Sequence, residues 1–295
     1  MILVVHKRSS WSQRTDKEQR LLDIGDSTVA RMVDAHEAHE ACIEATVEYL
    51  EKRGCAFNLT HEVSEELVQT AELVVTLDGD GTLLHVSHFV GSTPVLPINS
   101  APEHSVGYFC SKMSNLDLLD QAACKELPVS RVARMSVSVG DDVVTTRALN
   151  DALFCHTNPA MMTRYFLESD KAAEEQMSSG VWVSTAAGST AAIRSAGGFT
   201  MPHDSMNIQF LVREPYQPSG RRLQNIHGFV KPGEAIAIKS KIEEGCVWVD
   251  GSHVTHFVTR GETLRVQSSP EPLNLLSFRK IVGSPLLPPP SRNQR

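Results

Sequence analysis

The residues with the clearest chemical potential are Asp78-Gly79-Asp80-Gly81-Thr82, which follow the apolar run Leu73–Leu77 and precede Leu83-Leu84-His85. A strand that stops at glycines and restarts as a helix aims backbone N–H groups at one point, with the positive end of the helix behind them. A phosphate suits that point. A carboxylate inside such a loop repels phosphate, so Asp80 must act in another way, either by accepting a proton from an attacking hydroxyl or by helping to hold Mg²⁺. Thr82 can donate from its hydroxyl and cap the helix. Asp-Gly written twice is also ordinary tight-turn chemistry, and that reading stands beside the first. A calcium loop would need further acidic ligands and a closing glutamate, which this stretch lacks.

Two further clusters carry polar groups at the ends of apolar runs. Asn150-Asp151 follows Arg147-Ala148-Leu149. A carboxylate beside an amide can grip a ribose diol, although an Asx turn is the better explanation of the pair taken alone. Ser184-Thr185-Ala186-Ala187-Gly188-Ser189-Thr190-Ala191-Ala192 leads through Ile193-Arg194 to Ser195-Ala196-Gly197-Gly198. A wall of small residues leaves room for a flat ring, whose edges hydroxyls and amides can bond. Close packing of a short helix on small residues is the competing explanation.

These groups must be positioned by regular elements, and the chain offers two kinds. Over roughly the first 125 residues, strand-like and helix-like segments alternate. Ile2–His6, Cys55–Leu59, Leu73–Leu77 and Pro94–Ile98 read as strands. A helix is expected through Ala38, Ala41, Cys42, Ala45 and Tyr49, ending near Gly54, and another over Leu83–Val90. The polar stretch after His6, up to about Val33, gives no clear period. Such alternation predicts a mostly parallel sheet covered by helices. From Pro128 onward, strand-like runs follow one another: Val132–Val139, Val143–Leu149, Thr163–Leu167, Val181–Ser184, Ile208–Arg213, Ala235–Ile242, Val247–Val249, Val254–Val258 and Leu264–Ser268. That pattern predicts an antiparallel second domain. The expected division is an α/β domain over 1–127, a β-rich domain over 128–270, and a C-terminal segment 271–295 that returns to the first domain before a proline-rich, disordered tail.

The chain has 295 residues and a formal charge of −7, with 41% hydrophobic and 21% charged residues, as in an ordinary globular protein. No basic stripe suits nucleic acid; Arg221-Arg222 is too short. No run reaches the ~20 apolar residues of a membrane helix, and the start lacks the charged and apolar regions of a signal peptide. The six cysteines, Cys42, Cys55, Cys110, Cys124, Cys155 and Cys246, are scattered without metal-like spacing. They read as free thiols in a reducing compartment, and the cytoplasm is the expected location. The end Asn293-Gln294-Arg295 is not a peroxisomal address.

Taken in order, the three clusters resemble the NAD kinase family, which shares a wider group with diacylglycerol kinases and phosphofructokinases. The family's Gly-Gly-Asp-Gly-Thr turn corresponds to Asp78–Thr82, its Asn-Glu or Asn-Asp pair to Asn150-Asp151, and its Ser-Thr-x-x-Gly-Ser-Thr-Ala stretch to Ser184–Ala191, followed by Ser195–Gly198. Softer similarity covers about residues 70–275, including Val95–Ser100, Ser105-Val106-Gly107, Leu211–Pro215 and Asp250-Gly251. Thr185–Ala192, Ser178-Ser179-Gly180, and His85 with Ser87-His88-Phe89 look most like the plant NADH kinases, as do Ala192 and Ser179, where many bacterial members carry tyrosine and aspartate.

The resemblance implies a Rossmann-like α/β domain, an antiparallel β-sandwich domain, and a homodimer or homotetramer. It implies transfer of the ATP γ-phosphate, with Mg²⁺, to the 2′-hydroxyl of the adenosine ribose of NAD⁺ or NADH. Asp80 would be the general base, with Gly79, Gly81 and Thr82 lining the phosphates. Asn150 and Asp151 would hold ribose and base, Thr190, Ala191 and Ser195 would receive the adenine, and His85 and Arg164 would contact the dinucleotide. No protein ligand to a metal is assigned. Asp78 departs from the family's glycine. It would add roughly 1 kcal/mol of strain if the position required a positive φ, and it places a second carboxylate near polyphosphate. The alternatives are a lipid or sphingoid-base kinase of the same group, an NAD(P)-binding protein weakened as a catalyst by Asp78, and an NADP phosphatase.

Overall fold

The computed structural model describes residues 1–112, 116–170, 172–217 and 222–276. They form two compact units, Met1–Ser130 together with 274–276, and Arg131–Leu273.

The first unit is built on a sheet whose inner strands are short and apolar. Strands β1 (Ile2–His6), β2 (Phe57–Thr60), β3 (Leu73–Leu77), β4 (Val95–Asn99), β5 (Ser111–Lys112) and β6 (Val129–Val132) join the C-terminal strand Leu273–Leu276 in the order β2-β1-β3-β4-C-terminal strand-β6, with β5 beside β4. The pairings of β1 with β2 and β3, and of β4 with β3, β5 and the C-terminal strand, are parallel. Every residue of β3 and β4 is buried, as expected of strands covered on both faces. Helices α1 (Asp16–Asp23), α2 (Ser27–Lys52), α3 (Glu65–Gln69), α4 (Asp80–Ser87) and α5 (Asp117–Ala123) connect them.

The region without a clear period is helical. Thr15 and Glu18 form a capping box at the start of α1, and Asp26 caps α2 through Thr28 N and Val29 N. No residue of α1 is buried, so it leaves no periodic signal. The buried face of α2 also differs from the expected one. It runs through His39, Cys42, Ile43, Thr46 and Leu50, while Ala41 is exposed. His39 and Thr46 can be buried because they are bonded: His39 to Ser100 and Lys7, and Thr46 Oγ1 to the Cys42 carbonyl at 2.8 Å.

The second unit consists of two six-stranded sheets. Its strands are β7 (Met135–Val139), β8 (Asp142–Ala148), β9 (Asp151–His156), β10 (Thr163–Glu168), β11 (Ala173–Ser178), β12 (Gly180–Ser184), β13 (Ile208–Arg213), β14 (His227–Val230), β15 (Ala235–Ser240), β16 (Gly245–Val249), β17 (Val254–Val258) and β18 (Thr263–Ser268). One sheet runs β11-β10-β15-β18-β7-β8 and the other β14-β13-β12-β9-β16-β17. Alternating residues of both sheets enter one core, where Phe154 of one meets Tyr165 of the other edge-on at 6.0 Å. The buried Tyr165 hydroxyl bonds Ser178 Oγ at 2.7 Å.

The expected strand over Val132–Val139 is two strands, interrupted at Ala133-Arg134, where the wholly buried Arg134 donates to the Glu271 carbonyl at 2.6 Å. Strands β9, β11 and β14 have no counterpart among the apolar runs of the sequence. Of the C-terminal segment 271–295, Leu273–Leu276 forms a strand in the first unit's sheet, while the tail expected to be disordered lies outside the described residues.

Truncating Phe154 would open a cavity between the two sheets. Phe154→Ala is expected to cost about 3–5 kcal/mol. In urea, the emission of Trp182 and Trp248, both in the second unit, should then change at lower denaturant than in the parent protein.

Candidate active site

In an open parallel sheet, ligands settle at the carboxyl ends of the strands where the strand order reverses. Here β1 lies between β2 and β3, and the chain departs in opposite directions from it, so the crevice lies beyond His6 and Leu77. A cleft of about 380 Å³ opens there. It is lined by Asp78–Gly81 on one side and by Lys7, His36, His104 and Ser105 among others.

Asp80 is the first residue of α4, and Gly79 is its N-cap. This corrects the expectation that Thr82 caps the helix. A Cβ at Gly79 would come within 2.4 Å of Ser105 Oγ, whereas one at Gly81 would meet only open space. The Asp80 carboxylate is fixed by the loop after β4: Oδ2 accepts from Tyr108 N at 2.7 Å, and Oδ1 from Phe109 N at 2.9 Å and Cys110 Sγ at 3.6 Å. Burial, followed by the Asp80 charge, pushes the Cys110 thiol up, which keeps it a donor.

Asp78 is not among the residues with positive φ, so the position imposes none of the strain considered for it. Its Oδ2 accepts the Thr82 hydroxyl at 3.0 Å, and Thr82 is buried. Thr82 is therefore turned to Asp78 rather than offered to the cleft.

The cleft walls are braced by His39. Its Nε2 donates to the Lys7 carbonyl at 2.8 Å, which leaves Nδ1 of the neutral ring to accept from Ser100 Oγ at 2.7 Å. One buried ring thus ties the segment after β1 to the segment after β4. Sequence reasoning misses Lys7, His36, His39 and His104; of these, Lys7 carries a usable signal, since it directly follows an apolar strand of a parallel sheet. His85 lies on α4 against Phe89, with ring centroids 5.3 Å apart, and is not among the residues lining the cleft.

In the second unit, Asn150-Asp151 enters β9. Asp250 lies beneath it and accepts from Leu149 N at 2.8 Å, Asn150 N at 2.6 Å and Asp151 N at 3.1 Å. From the other side, Thr185 N and Ser184 Oγ donate to the Asn150 carbonyl at 3.0 and 3.1 Å. Gly188 is required there, because a Cβ would fall 2.1 Å from that carbonyl oxygen. Asn150 Oδ1 is buried and has no hydrogen-bond partner among the described residues.

The small-residue stretch divides in two. Ser184 through Ser189 are buried, and the hydroxyls of Ser184, Thr185 and Ser189 bond backbone carbonyls, so this part is close packing rather than a wall for a ring. Thr190 and Ala191 are half-buried and Ser195 is exposed, which leaves these three accessible. Arg164 is not brought to this cluster. It lines a separate groove with His156, at the far end of β9 and about 17 Å from Asp151 by strand rise.

A parallel sheet with a carboxylate-bearing glycine turn at its switch point, together with a β-sandwich bearing a braced Asn-Asp pair, defines a protein that handles nucleotide phosphates. No protein-family model matches the sequence. The chain is 37% identical over 225 residues to the probable NADH kinase of Oryza sativa subsp. japonica, covering 68% of this chain and 69% of that one. It is 32% identical over 233 residues to the NADH kinase of Arabidopsis thaliana, covering 70% and 73%. The fold matches the crystal structure of an NAD kinase from Archaeoglobus fulgidus in complex with ATP, with TM-score 0.67 and 22% identity over 96% of each chain. It also matches yeast NADH kinase complexed with NADH, with TM-score 0.68 and 17% identity over 95% of this chain and 83% of that one. The chain belongs to the NAD(H) kinase family.

Asp151 is buried, and burial, followed by the charge of Asp250, pushes its carboxyl up to about 7. A folded-state value raised above the unfolded one contributes stability that is fully present below pH ~4 and is lost as pH rises through about 7. Asp151→Asn should therefore raise the melting temperature relative to the parent, by more at pH 8 than at pH 5, as thermal unfolding at the two pH values would measure.

Proposed function

We propose that the protein transfers the γ-phosphate of ATP to the 2′-hydroxyl of the adenosine ribose of NAD⁺ or NADH. The observation that carries this reading is Asp80: a carboxylate held by two backbone N–H groups within a glycine turn that opens onto the cleft. The bonds to Tyr108 and Phe109 fix its direction and leave lone pairs for an incoming hydroxyl. As the 2′-oxygen bonds the γ-phosphorus, its proton passes to Asp80 and the bond to the β-phosphate oxygen breaks, releasing ADP.

Gly79 and Gly81 give the phosphates backbone access. Lys7 supplies positive charge on the cleft wall facing Asp78 and Asp80. Asn150 and Asp151 hold the ribose and base, and Thr190, Ala191 and Ser195 receive the adenine. In this scheme residues 1–127 handle the donor and residues 128–270 the dinucleotide. Among the described residues no group of three or more His, Cys, Asp or Glu is placed to hold a metal. Mg²⁺ enters as the nucleotide's complex, as part of the substrate, and offsets the charge of Asp78 and Asp80.

We further propose a homodimer or homotetramer, on the family resemblance and on the face of the second sheet turned from the core, where Leu153, Trp182 and Trp248 stand in register. Among the described residues no helix is long and apolar enough to cross a membrane. All six cysteines are free, which supports a reducing compartment such as the cytoplasm.

Purified protein with Mg²⁺-ATP and NAD⁺ or NADH should form NADP(H). Asp80→Asn should lower kcat by roughly 10²- to 10⁴-fold; turnover near the parent level would remove Asp80 as base. Product on a lipid or sphingoid base, with none on NAD(H), would select the lipid-kinase alternative. Asp78→Gly frees the Thr82 hydroxyl and removes one carboxylate from the donor side. It should raise kcat/KM for ATP and weaken the dependence on Mg²⁺, as initial rates across an Mg²⁺ series would show.

A further inference from the structure

Asp250 is outside every cluster read as catalytic or substrate-binding, yet its surroundings are unusual. It is buried, with 2% of its surface exposed, and lies in the turn between β16 and β17. Its backbone is left-handed, with φ 51°, followed by Gly251 at φ 77°. A non-glycine residue is uncommon there, although Asp and Asn tolerate it best. The conformation directs the carboxylate under the start of β9. There Oδ1 accepts from Asn150 N and Asp151 N, and Oδ2 accepts from Leu149 N. The Asp250 amide in turn donates to the Asp151 carbonyl at 2.8 Å. One side chain therefore satisfies three successive N–H groups at the point where Asn150 and Asp151 leave the turn and enter the strand.

We infer that Asp250 is the positioning residue of the dinucleotide end: by fixing the backbone of Leu149–Asp151 it sets where the Asn150 amide and the Asp151 carboxylate meet the ribose. The inference rests on the function proposed above. Asn150 Oδ1, buried without a partner among the described residues, is held in place by its braced main chain, and a shift of the Leu149–Asp151 segment would move it together with Asp151. The second effect is electrostatic. Asp250 is the charge that acts with burial to raise Asp151. The Asp250 charge in turn favours the charged form of the wholly buried Arg134, as Glu271 does, while burial and Arg147 oppose it. A carboxylate that accepts two ribose hydroxyls must be ionised, so affinity for NAD(H) should rise with pH through the titration of Asp151.

The two effects separate in two variants. Asp250→Gly suits the left-handed backbone but removes both acceptor oxygens and with them all three bonds. Asp250→Asn suits it too and keeps Oδ1 as an acceptor for Asn150 N and Asp151 N, but removes the charge and the bond from Leu149 N. Binding of NADH should be measured by titration calorimetry from pH 5.5 to 8.5, and KM for ATP by initial rates. Asp250→Gly is expected to weaken NADH binding on the order of tenfold to a hundredfold, with KM for ATP within about twofold of the parent. Asp250→Asn is expected to bind NADH near parent strength at pH 8.5 and to shift the midpoint of the pH dependence to lower pH. A merely structural role would lower the melting temperature without moving that midpoint.

Unchanged NADH affinity in Asp250→Gly, or an unchanged pH midpoint in Asp250→Asn, overturns the inference. If neither variant folds, the parent protein decides: aspartate carboxyls labelled with ¹³C and assigned with Asp151→Asn should show Asp151 titrating well above the ordinary carboxylate range, and an ordinary value overturns the inference. NADH binding that depends on Asp250 without NADP(H) formation would sink the proposed kinase reaction and leave the inference standing. Absence of NADH binding by the parent protein would overturn both.

Discussion

A backbone N–H at the end of a strand has no partner from its sheet, and burying it unpaired is costly. In this chain, carboxylates meet that need at both places where polar side chains gather. Asp80 accepts from Tyr108 N and Phe109 N, and Asp250 from Leu149, Asn150 and Asp151 N. In each case a charge-assisted bond fixes a loop that regular structure cannot reach. The glycines play a complementary part. Gly79 and Gly188 stand where a Cβ would collide with Ser105 Oγ or the Asn150 carbonyl, so the loops can come close enough for these bonds to form.

The two carboxylates differ in what surrounds them. Asp80 is half-buried and borders a cleft, with an incoming donor from the Cys110 thiol. Asp250 is closed off from water and acts electrostatically on the buried Arg134. The first is open to whatever enters the cleft, while the second can act only through the groups it holds. Asp151 lies between these extremes: buried, close to Asp250, and pushed to about 7, within reach of a change in protonation near neutral pH.

Much of the fold was legible because its strands are apolar runs with clear ends. Leu73–Leu77, Ile208–Arg213 and Val254–Val258 have the same limits in the structure as in the sequence. Strand Ala173–Ser178 was not legible: it is an edge strand, and Glu174, Glu175 and Gln176 mask its alternation. Helix Asp16–Asp23 buries nothing, and only its Thr15–Glu18 capping box marks it. On α2 the buried polar residues His39 and Thr46 turned the apparent apolar face away from the real one. At the glycine turn, Asp80 and its neighbours were legible as a type of chemistry. The amides of Tyr108 and Phe109 were not, because a main-chain donor carries no residue-type signal and is placed only by the tertiary fold. The same limit hid the role of Ser184 and Thr185, whose hydroxyls are spent on carbonyls rather than offered to a ligand.

The strand Leu273–Leu276 pairs with β4 inside the sheet of the first unit. That position has a consequence for how the protein is made. On the ribosome, a domain can close only when its last strand has emerged. Among the described residues, the second unit is the stretch Arg131–Leu273. The first unit is begun before the second yet lacks an internal strand of its sheet until Leu273–Leu276 has been synthesised. The unit begun earlier is therefore finished later, and the glycine turn that it carries waits for a strand that follows the whole second unit.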